Sequence, residues 1–150
     1  ENANFEVISM ASEWNADKAL TITADILTAH PNVNAIFSHN DEMIRGIIAG
    51  LRQVGRFEPL GSPGHILVVG IDGTPLALER IGKGEQDATI QQDPFEMGAL
   101  AVQAIFDSIN GKEIPPQQLL SPTLINIDNF DDQNLWGNVF RRTTRCVYRQ

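Results

Sequence analysis

Polar and aromatic side chains stand at or shortly after the ends of four apolar, strand-like runs in this chain. The runs and the residues that follow them are 5–10 with Trp14, 35–37 with His39, Asn40 and Asp41, 66–71 with Asp72, and 88–90 with Gln91 and Gln92. Parallel α/β sheets bind ligands outside the carboxyl ends of their strands, so we expect these side chains at one edge of a sheet. An aromatic ring can stack on a sugar, and amides and carboxylates can pair with hydroxyl groups. The pattern therefore predicts a binding site for a polyhydroxylated small molecule.

Several of these residues also have a purely structural interpretation. Trp14 can be a core residue, and Asp41 more simply caps the helix that starts there. Asp72 follows a fully apolar run, so its carboxylate needs hydrogen bonds, either from ligand hydroxyls or from the start of the next helix. Of Gln91 and Gln92, one should face solvent or ligand and the other the packed interior, because strand side chains alternate.

Strand-like and helical patterns alternate along the chain. Apolar residues recur at three- and four-residue steps in four segments, which begin near Asn15, Asp41, Pro75 and Pro94. The predicted strands are 5–10, 33–37, 66–71, 88–91 and 123–127. Run 66–71 is continuously apolar, which is typical of a strand buried on both faces. We therefore expect an α/β fold with a three-layer, doubly wound, mostly parallel sheet.

The composition limits the classes of function. The 150 residues carry a net charge of −8, which argues against a nucleic-acid surface. No apolar run approaches the roughly 20 residues that would span a bilayer. The chain has no GxSxG, HExxH or P-loop motif, no GxGxxG fingerprint and no paired cysteines. We therefore predict a protein that is not an enzyme and that needs no cofactor and no metal.

The carboxyl-terminal segment is basic. Residues 141–149 contain four arginines and no acidic residue. The segment is either a solvated tail or an arm that forms intermolecular salt bridges. Cys146 is the single cysteine, so no internal disulfide can form and the cellular compartment stays open.

Three motifs together carry a family resemblance. They are AIFSHNDEM at 35–43, VVGIDGTP at 68–75, and ATIQQDP at 88–94 followed by Met97 and Gly98. In this order they resemble the carboxyl-terminal half of type I periplasmic sugar-binding proteins, the ribose- and galactose-binding group of ABC transporters. The resemblance covers about residues 5–128. It implies that Trp14 stacks on the sugar ring, and that Asn40, Asp72 and Gln92 bond its hydroxyl groups.

The resemblance also implies an organisation into domains. The family has two lobes and is about twice as long as this chain, which we therefore expect to be a fragment. Residues 1–92 would form part of the carboxyl-terminal lobe, and 93–121 would pack in the other lobe. Residues 122–128 would be a returning hinge strand, and 129–150 an extension with the basic tail. An isolated chain of this kind should form a homodimer or be marginally stable.

The implied function is transport. The complete protein would bind a monosaccharide or polyol and deliver it to a membrane ABC permease, in the periplasm or as an extracytoplasmic lipoprotein. The first residues of this chain lack the basic start and apolar core of a signal peptide. The alternative is the effector-binding domain of a LacI-like transcription regulator, which shares the fold. The GTP and ATIQQDP stretches favour the transport protein.

Overall fold

The computed structural model describes residues 5–139, so the predictions for the basic tail and Cys146 lie outside the described residues. Within that range, all four predicted helices and four of the five predicted strands are present. The helices are α1 (Ala16–Ala29), α2 (Asp41–Gln53), α3 (Pro75–Gly82) and α4 (Pro94–Ile109). The strands are β1 (Ala35–Phe37), β2 (Leu67–Asp72), β3 (Ala88–Gln91) and β4 (Thr123–Asn126). No helix of residues 5–139 is long and apolar enough to cross a bilayer.

The four strands form one sheet in the order β1-β2-β3-β4. The first three are parallel, and β4 runs antiparallel to β3. Gly70 lies opposite Thr89, and Thr89 lies opposite Ile125, so these three residues share one face of the sheet. The α/β class and the mostly parallel sheet are confirmed.

Helices α2 and α3 cover the face that carries Gly70. A Cβ atom built on Gly70 would lie 2.6 Å from Cδ1 of Ile44, so α2 sits directly on this face. From α3, Leu78 and Ile81 form a buried cluster with Ile125, two strands further along the same face. The main hydrophobic core therefore lies between these helices and one side of the sheet.

The opposite face of the sheet is open among the described residues. Phe37 is 56% exposed, Leu67 49% and Leu124 55%. Within β2, Val68 is buried while Leu67 is not, so the strand is buried on one face rather than on both as predicted. Residues 5–139 thus cover one side of the sheet with helices. They do not supply the second helical layer that a three-layer, doubly wound sheet requires.

Helix α1 packs alongside α2 in the same direction. A Cβ on Gly46 would lie 1.8 Å from the carbonyl oxygen of Ala16, and one on Gly50 would lie 2.7 Å from that of Leu20. Positions four apart on α2 therefore track positions four apart on α1, so the helices are parallel. The hydroxyl of Ser12 also contacts Sδ of Met43, at 2.7 Å. The start of α1 hence lies beside the start of α2.

The helix caps match the predicted boundaries with one exception. Asn15 caps α1 by accepting from the N–H groups of Asp17 and Lys18, and Asp93 caps α4 ahead of Pro94. Helix α2 is capped by Asn40, whose Oδ1 accepts from the N–H of Met43 at 2.8 Å. The prediction that Asp41 caps this helix is wrong, because its carboxylate turns toward the adjacent strands.

The predicted strand 5–10 is absent. These residues have no regular secondary structure, and Phe5 and Val7 are 83% and 79% exposed. Strand β1 pairs with β2 on one side, and no described strand lies along its other edge. A strand needs a neighbouring strand to pair with its backbone N–H and C=O groups. The apolar composition of residues 5–10 is therefore not sufficient to make them a strand.

Helix α4 is likewise not covered by a second layer from the part of the chain that the structure describes. None of its residues is buried, and Phe106 and Ile109 are 60% and 79% exposed.

The segment after β4, in contrast, folds back on the domain. Leu135 and Asn138 are buried, and the Phe130 ring lies against Gly82. The sequence did not indicate this packing.

A histidine–aspartate pair ties the loop before β2 to the sheet. His65 Nδ1 donates to the carbonyl of Glu58 at 2.6 Å, and Nε2 donates to the Asp87 carboxylate at 2.9 Å. Both ring nitrogens therefore need a proton. Burial lowers the pKa of His65, but the hydrogen bonds to Glu58 and Asp87 together outweigh it, so the pKa lies above its ordinary value.

The Gly46 contact predicts a large effect of one added methyl group. Gly46→Ala must push α1 and α2 apart, so we expect the free energy of unfolding to fall by about 3 kcal/mol. The matched control is Gly98→Ala in α4, where a built Cβ meets no atom within 4 Å. Urea unfolding followed by circular dichroism measures both. A Gly46→Ala chain as stable as the wild type would contradict this helix packing.

The His65 pair predicts that stability falls as pH rises. Because the folded-state pKa is raised, the contribution of the pair is complete below the unfolded value of about 6.5 and is lost as pH rises through the folded value. As pH rises from about 6 to about 8, the melting temperature should fall further for the wild-type chain than for His65→Gln. The exposed His30→Gln variant is the control and should follow the wild type. Parallel pH profiles for the wild type and His65→Gln would refute the ionic pair.

Candidate functional site

The carboxyl ends of β1, β2 and β3 bring three of the predicted site residues together. The amide Nε2 of Gln92 donates to Oδ1 of Asp72 at 3.2 Å. The backbone N–H of Asp41, which follows Asn40, donates a longer hydrogen bond to Oδ2 of Asp72 at 3.4 Å. The Asp72 carboxylate is therefore the point at which the ends of all three parallel strands meet.

Asp72 has a strained backbone conformation and a carboxyl group with a raised pKa. Its φ of 121° lies in a region that side-chain-bearing residues rarely adopt, at a cost of roughly 1–3 kcal/mol. Burial raises the pKa of its carboxyl group, and the nearby Asp41 carboxylate raises it further. The hydrogen bonds from the Asp41 N–H and from Gln92 lower the pKa without reversing the net rise. The group is thus a half-buried acceptor that more donors would stabilise.

Asn40 is only partly available to a ligand. Its Oδ1 is engaged by the N–H of Met43 as the cap of α2. Its Nδ2 has no hydrogen bond among residues 5–139. The sequence suggested that the Asn40 amide offers a ligand both an acceptor and a donor, whereas in the structure its donor group alone is available.

The two glutamines at the end of β3 divide as the alternation of strand side chains predicts. Gln91 is 9% exposed, and its Oε1 accepts from the backbone N–H of Trp136 at 3.3 Å. Gln92 is exposed and points to Asp72. Gln92 is therefore the one that a ligand can reach.

Trp14 lies at the same end of the domain, and within residues 5–139 it forms no hydrogen bond with the other three residues. It directly precedes the cap of α1, whose start lies beside the start of α2. Its side chain is 69% exposed, which rules out the interpretation as a core residue in this structure. Glu13 and Trp14 have φ values of 53° and 58°, and for a bulky residue this left-handed conformation is an outlier. The turn presents the indole to solvent.

Asp41 lies beneath the site and is fully buried. Its Oδ2 accepts from the N–H groups of Gly73 and Thr74, at 2.9 and 3.0 Å. Its Oδ1 accepts from Thr89 Oγ1 at 2.9 Å and from Gln86 Nε2 at 3.1 Å. One carboxylate thus joins α2 to the start of α3 and to β3. The sequence offered only a capping signal at this position.

Trp136 is the other residue that the sequence reasoning missed. Its indole Nε1 donates to the carbonyl oxygen of Asp72 at 2.8 Å, across 64 residues of chain. No motif marks it, and a contact of such sequence separation has no local signal.

The site can bind through hydrogen bonds and stacking. A carboxylate acceptor, two amide donors and an exposed indole suit a ligand that offers many hydroxyl groups and an apolar C–H face. Among residues 5–139, no three His, Cys, Asp or Glu side chains converge as ligands for a metal ion.

Comparison with known families assigns the chain. A family model described as the periplasmic binding protein domain matches residues 1–113, well over half of the chain. The chain belongs to this family. Asn40, Asp72 and Gln92 all lie within the matched residues of this periplasmic binding protein domain, whereas Trp136 lies beyond them.

Relatives of the periplasmic binding protein domain include the D-allose-binding periplasmic protein of Escherichia coli K12. It is 34% identical over 110 residues, which are 73% of this chain and 33% of that protein. The ribose operon repressor of Halalkalibacterium halodurans is 23% identical over 116 residues, which are 77% of this chain and 33% of that protein. The chain thus spans about a third of the length of these curated relatives.

A solved structure supports the same family. The ABC transporter periplasmic solute binding protein from Actinobacillus succinogenes 130z, with bound D-allose, has a TM-score of 0.73 to this chain at 33% identity. The likeness covers 82% of this chain and 42% of that one.

The four hydrogen bonds to the buried Asp41 carboxylate predict that replacing it with an amide destabilises the fold. Asp41→Asn replaces one acceptor oxygen by a donor that faces other donors, so we expect the free energy of unfolding to fall by about 3 kcal/mol. The neighbouring Glu42→Gln is the matched control, since its side chain is 57% exposed. Thermal unfolding of both variants measures the difference. An Asp41→Asn chain with wild-type stability would show that the four hydrogen bonds do not hold the strand ends together.

Proposed function

We propose that this chain supplies one wall of the ligand site of a sugar-binding protein, the substrate-binding component of an ABC importer. The proposed ligand is a monosaccharide or a related polyol. The observation that carries the proposal is the Asp72 carboxylate at the shared strand edge, with Gln92 on one oxygen and the start of α2 on the other.

Each residue has a distinct part in the proposed binding. Asp72 accepts from ligand hydroxyls, which stabilises a carboxylate whose pKa is otherwise raised by burial. Asn40 donates through its free Nδ2, and Gln92 contributes its exposed amide. Trp14 stacks its ring on the C–H face of the sugar. The proposed role is binding rather than catalysis.

The wider organisation is also a proposal. The unburied α4 supports a role for residues 93–121 in a second lobe, with residues 122–128 as the strand that returns from it. Closure of the two lobes would then complete the site. A membrane ABC permease is the proposed partner, and the periplasm or an extracytoplasmic anchor is the proposed location. In support, one relative is a periplasmic D-allose-binding protein and another is a periplasmic solute binding protein of an ABC transporter.

A second candidate is the effector-binding domain of a LacI-like transcription regulator. The similarity to a ribose operon repressor favours it. The identity of 23% is lower than the 34% shared with the D-allose-binding protein, so we place the transport protein first.

The proposed function predicts that Asp72→Asn weakens sugar binding. This variant keeps an acceptor for Gln92 and gives up only the long hydrogen bond from the Asp41 N–H, at 3.4 Å. It also removes a carboxylate that is costly to bury, so it should fold about as well as the wild type. Hydrogen bonds to a charged acceptor are lost, and the affinity for D-allose or D-ribose should fall by about tenfold or more. Isothermal titration calorimetry measures this. Asp25→Asn, an exposed carboxylate on α1, is the control.

Trp14 provides an independent arm of the same experiment. Trp14→Asn removes the ring and suits the left-handed backbone, while Trp14→Phe keeps an aromatic face. The affinity should fall in the Asn variant and largely persist in the Phe variant. Wild-type affinity in both Asp72→Asn and Trp14→Asn would overturn the assignment of the site.

A further inference from the structure

Trp136 belongs to a packed segment outside the residues that the family model matches. Residues 129–139 fold back onto α3, and Leu135 is 5% exposed within the cluster of Leu78 and Ile81. The amide Nδ2 of Asn138 donates to two carbonyl oxygens of the same segment, each at 2.8 Å. These contacts fix the position from which Trp136 reaches the strand ends.

Trp136 bonds to two neighbouring strands. Its indole Nε1 donates to the carbonyl of Asp72 at the end of β2, and its backbone N–H donates to the side chain of Gln91 at the end of β3. The next residue is Gly137, where a Cβ atom would lie 2.7 Å from the carbonyl oxygen of Gly73. Only a glycine allows the segment to approach the site so closely.

The Asp72–Gly73 peptide group is therefore clamped from both sides. Its carbonyl oxygen accepts from Trp136 at 2.8 Å and from the backbone N–H of Gln92 at 3.2 Å. Its N–H donates to Asp41 at 2.9 Å and to Thr89 at 3.2 Å. The φ of Asp72 lies in a strained region, and such conformations persist only where the surroundings hold them. Without the indole donor, the carbonyl keeps only the longer hydrogen bond from the Gln92 N–H, at 3.2 Å. The peptide group is then held less firmly, and the direction of the Asp72 side chain is less well defined.

We propose that Trp136 is a positioning residue for the ligand, which fixes the Asp72–Gly73 peptide and thereby aims the Asp72 carboxylate at the hydroxyl groups of a sugar. This inference rests on the proposed function. Trp136 itself does not touch the ligand in this account. It acts through Asp72, and the carboxyl-terminal segment is thereby part of the binding apparatus.

The test is Trp136→Phe, which keeps an aromatic ring and removes the indole donor. Two quantities are measured on the full chain. The first is the hydrogen-exchange rate of the Gly73 amide without sugar. The second is the affinity for D-allose and D-ribose by calorimetry. We expect faster exchange at Gly73 and an affinity about tenfold weaker.

The control is Leu51→Ala near the end of α2, which loosens the main core without touching the segment that contains Trp136. It should lower the melting temperature and keep the wild-type affinity at a temperature well below the transition. Such a split separates positioning from general stability.

The outcomes distinguish this inference from the proposed function. Unchanged Gly73 exchange in Trp136→Phe overturns the clamp, whether or not sugar binds. Sugar binding that is equal in the wild type and Trp136→Phe overturns the positioning role and leaves the proposed function standing. A wild-type chain that binds no sugar overturns the proposed function, and with it the ligand role of Trp136.

Discussion

The buried carboxylate of Asp41 is the interaction on which the rest of the structure depends. A buried carboxylate is costly unless hydrogen bonds compensate it, and here four donors from three segments do so. The same residue donates its backbone N–H to Asp72. The fold and the candidate site therefore share one anchor, and the ends of the parallel strands cannot shift independently.

This anchor explains why the site can exist on a sheet that is covered on one side only. Helices α2 and α3 pack on the face of Gly70, and Asp41 lies in that layer. The other face and helix α4 leave large apolar side chains exposed, and these apolar side chains make no hydrogen bonds at the strand ends. The local geometry of the site is thus set by the covered face, by the turn at Trp14 and by the segment that contains Trp136.

The parts that the sequence predicts are those with a local or periodic signal. The buried face of α2 follows from apolar residues at helical spacing, and the buried apolar residues of that spacing are Met43, Ile44, Ile47, Ile48 and Leu51, with Val54 partly buried beyond the helix. The grouping of Asn40, Asp72 and Gln92 follows from the rule that parallel strands present their carboxyl ends at one edge. The predicted strand 5–10 fails because a strand needs a neighbour, which its own residues do not specify. The sequence did not predict the buried role of Asp41, because an aspartate at the start of a helix is equally typical of an exposed cap. It did not predict the role of Trp136, because the contact of Trp136 with Asp72 spans 64 residues and has no local signal.

The central claim is that a sugar binds at the edge formed by the ends of β1, β2 and β3. The most direct measurement is a titration of the ¹⁵N-labelled chain with D-allose, D-ribose and an uncharged non-sugar control, followed by NMR. We expect saturable shifts for the sugars at the side-chain N–H groups of Trp14, Asn40 and Gln92, at affinities of about millimolar because the site is open. Shifts that are absent there, or that appear equally with the control or elsewhere on the domain, would contradict it.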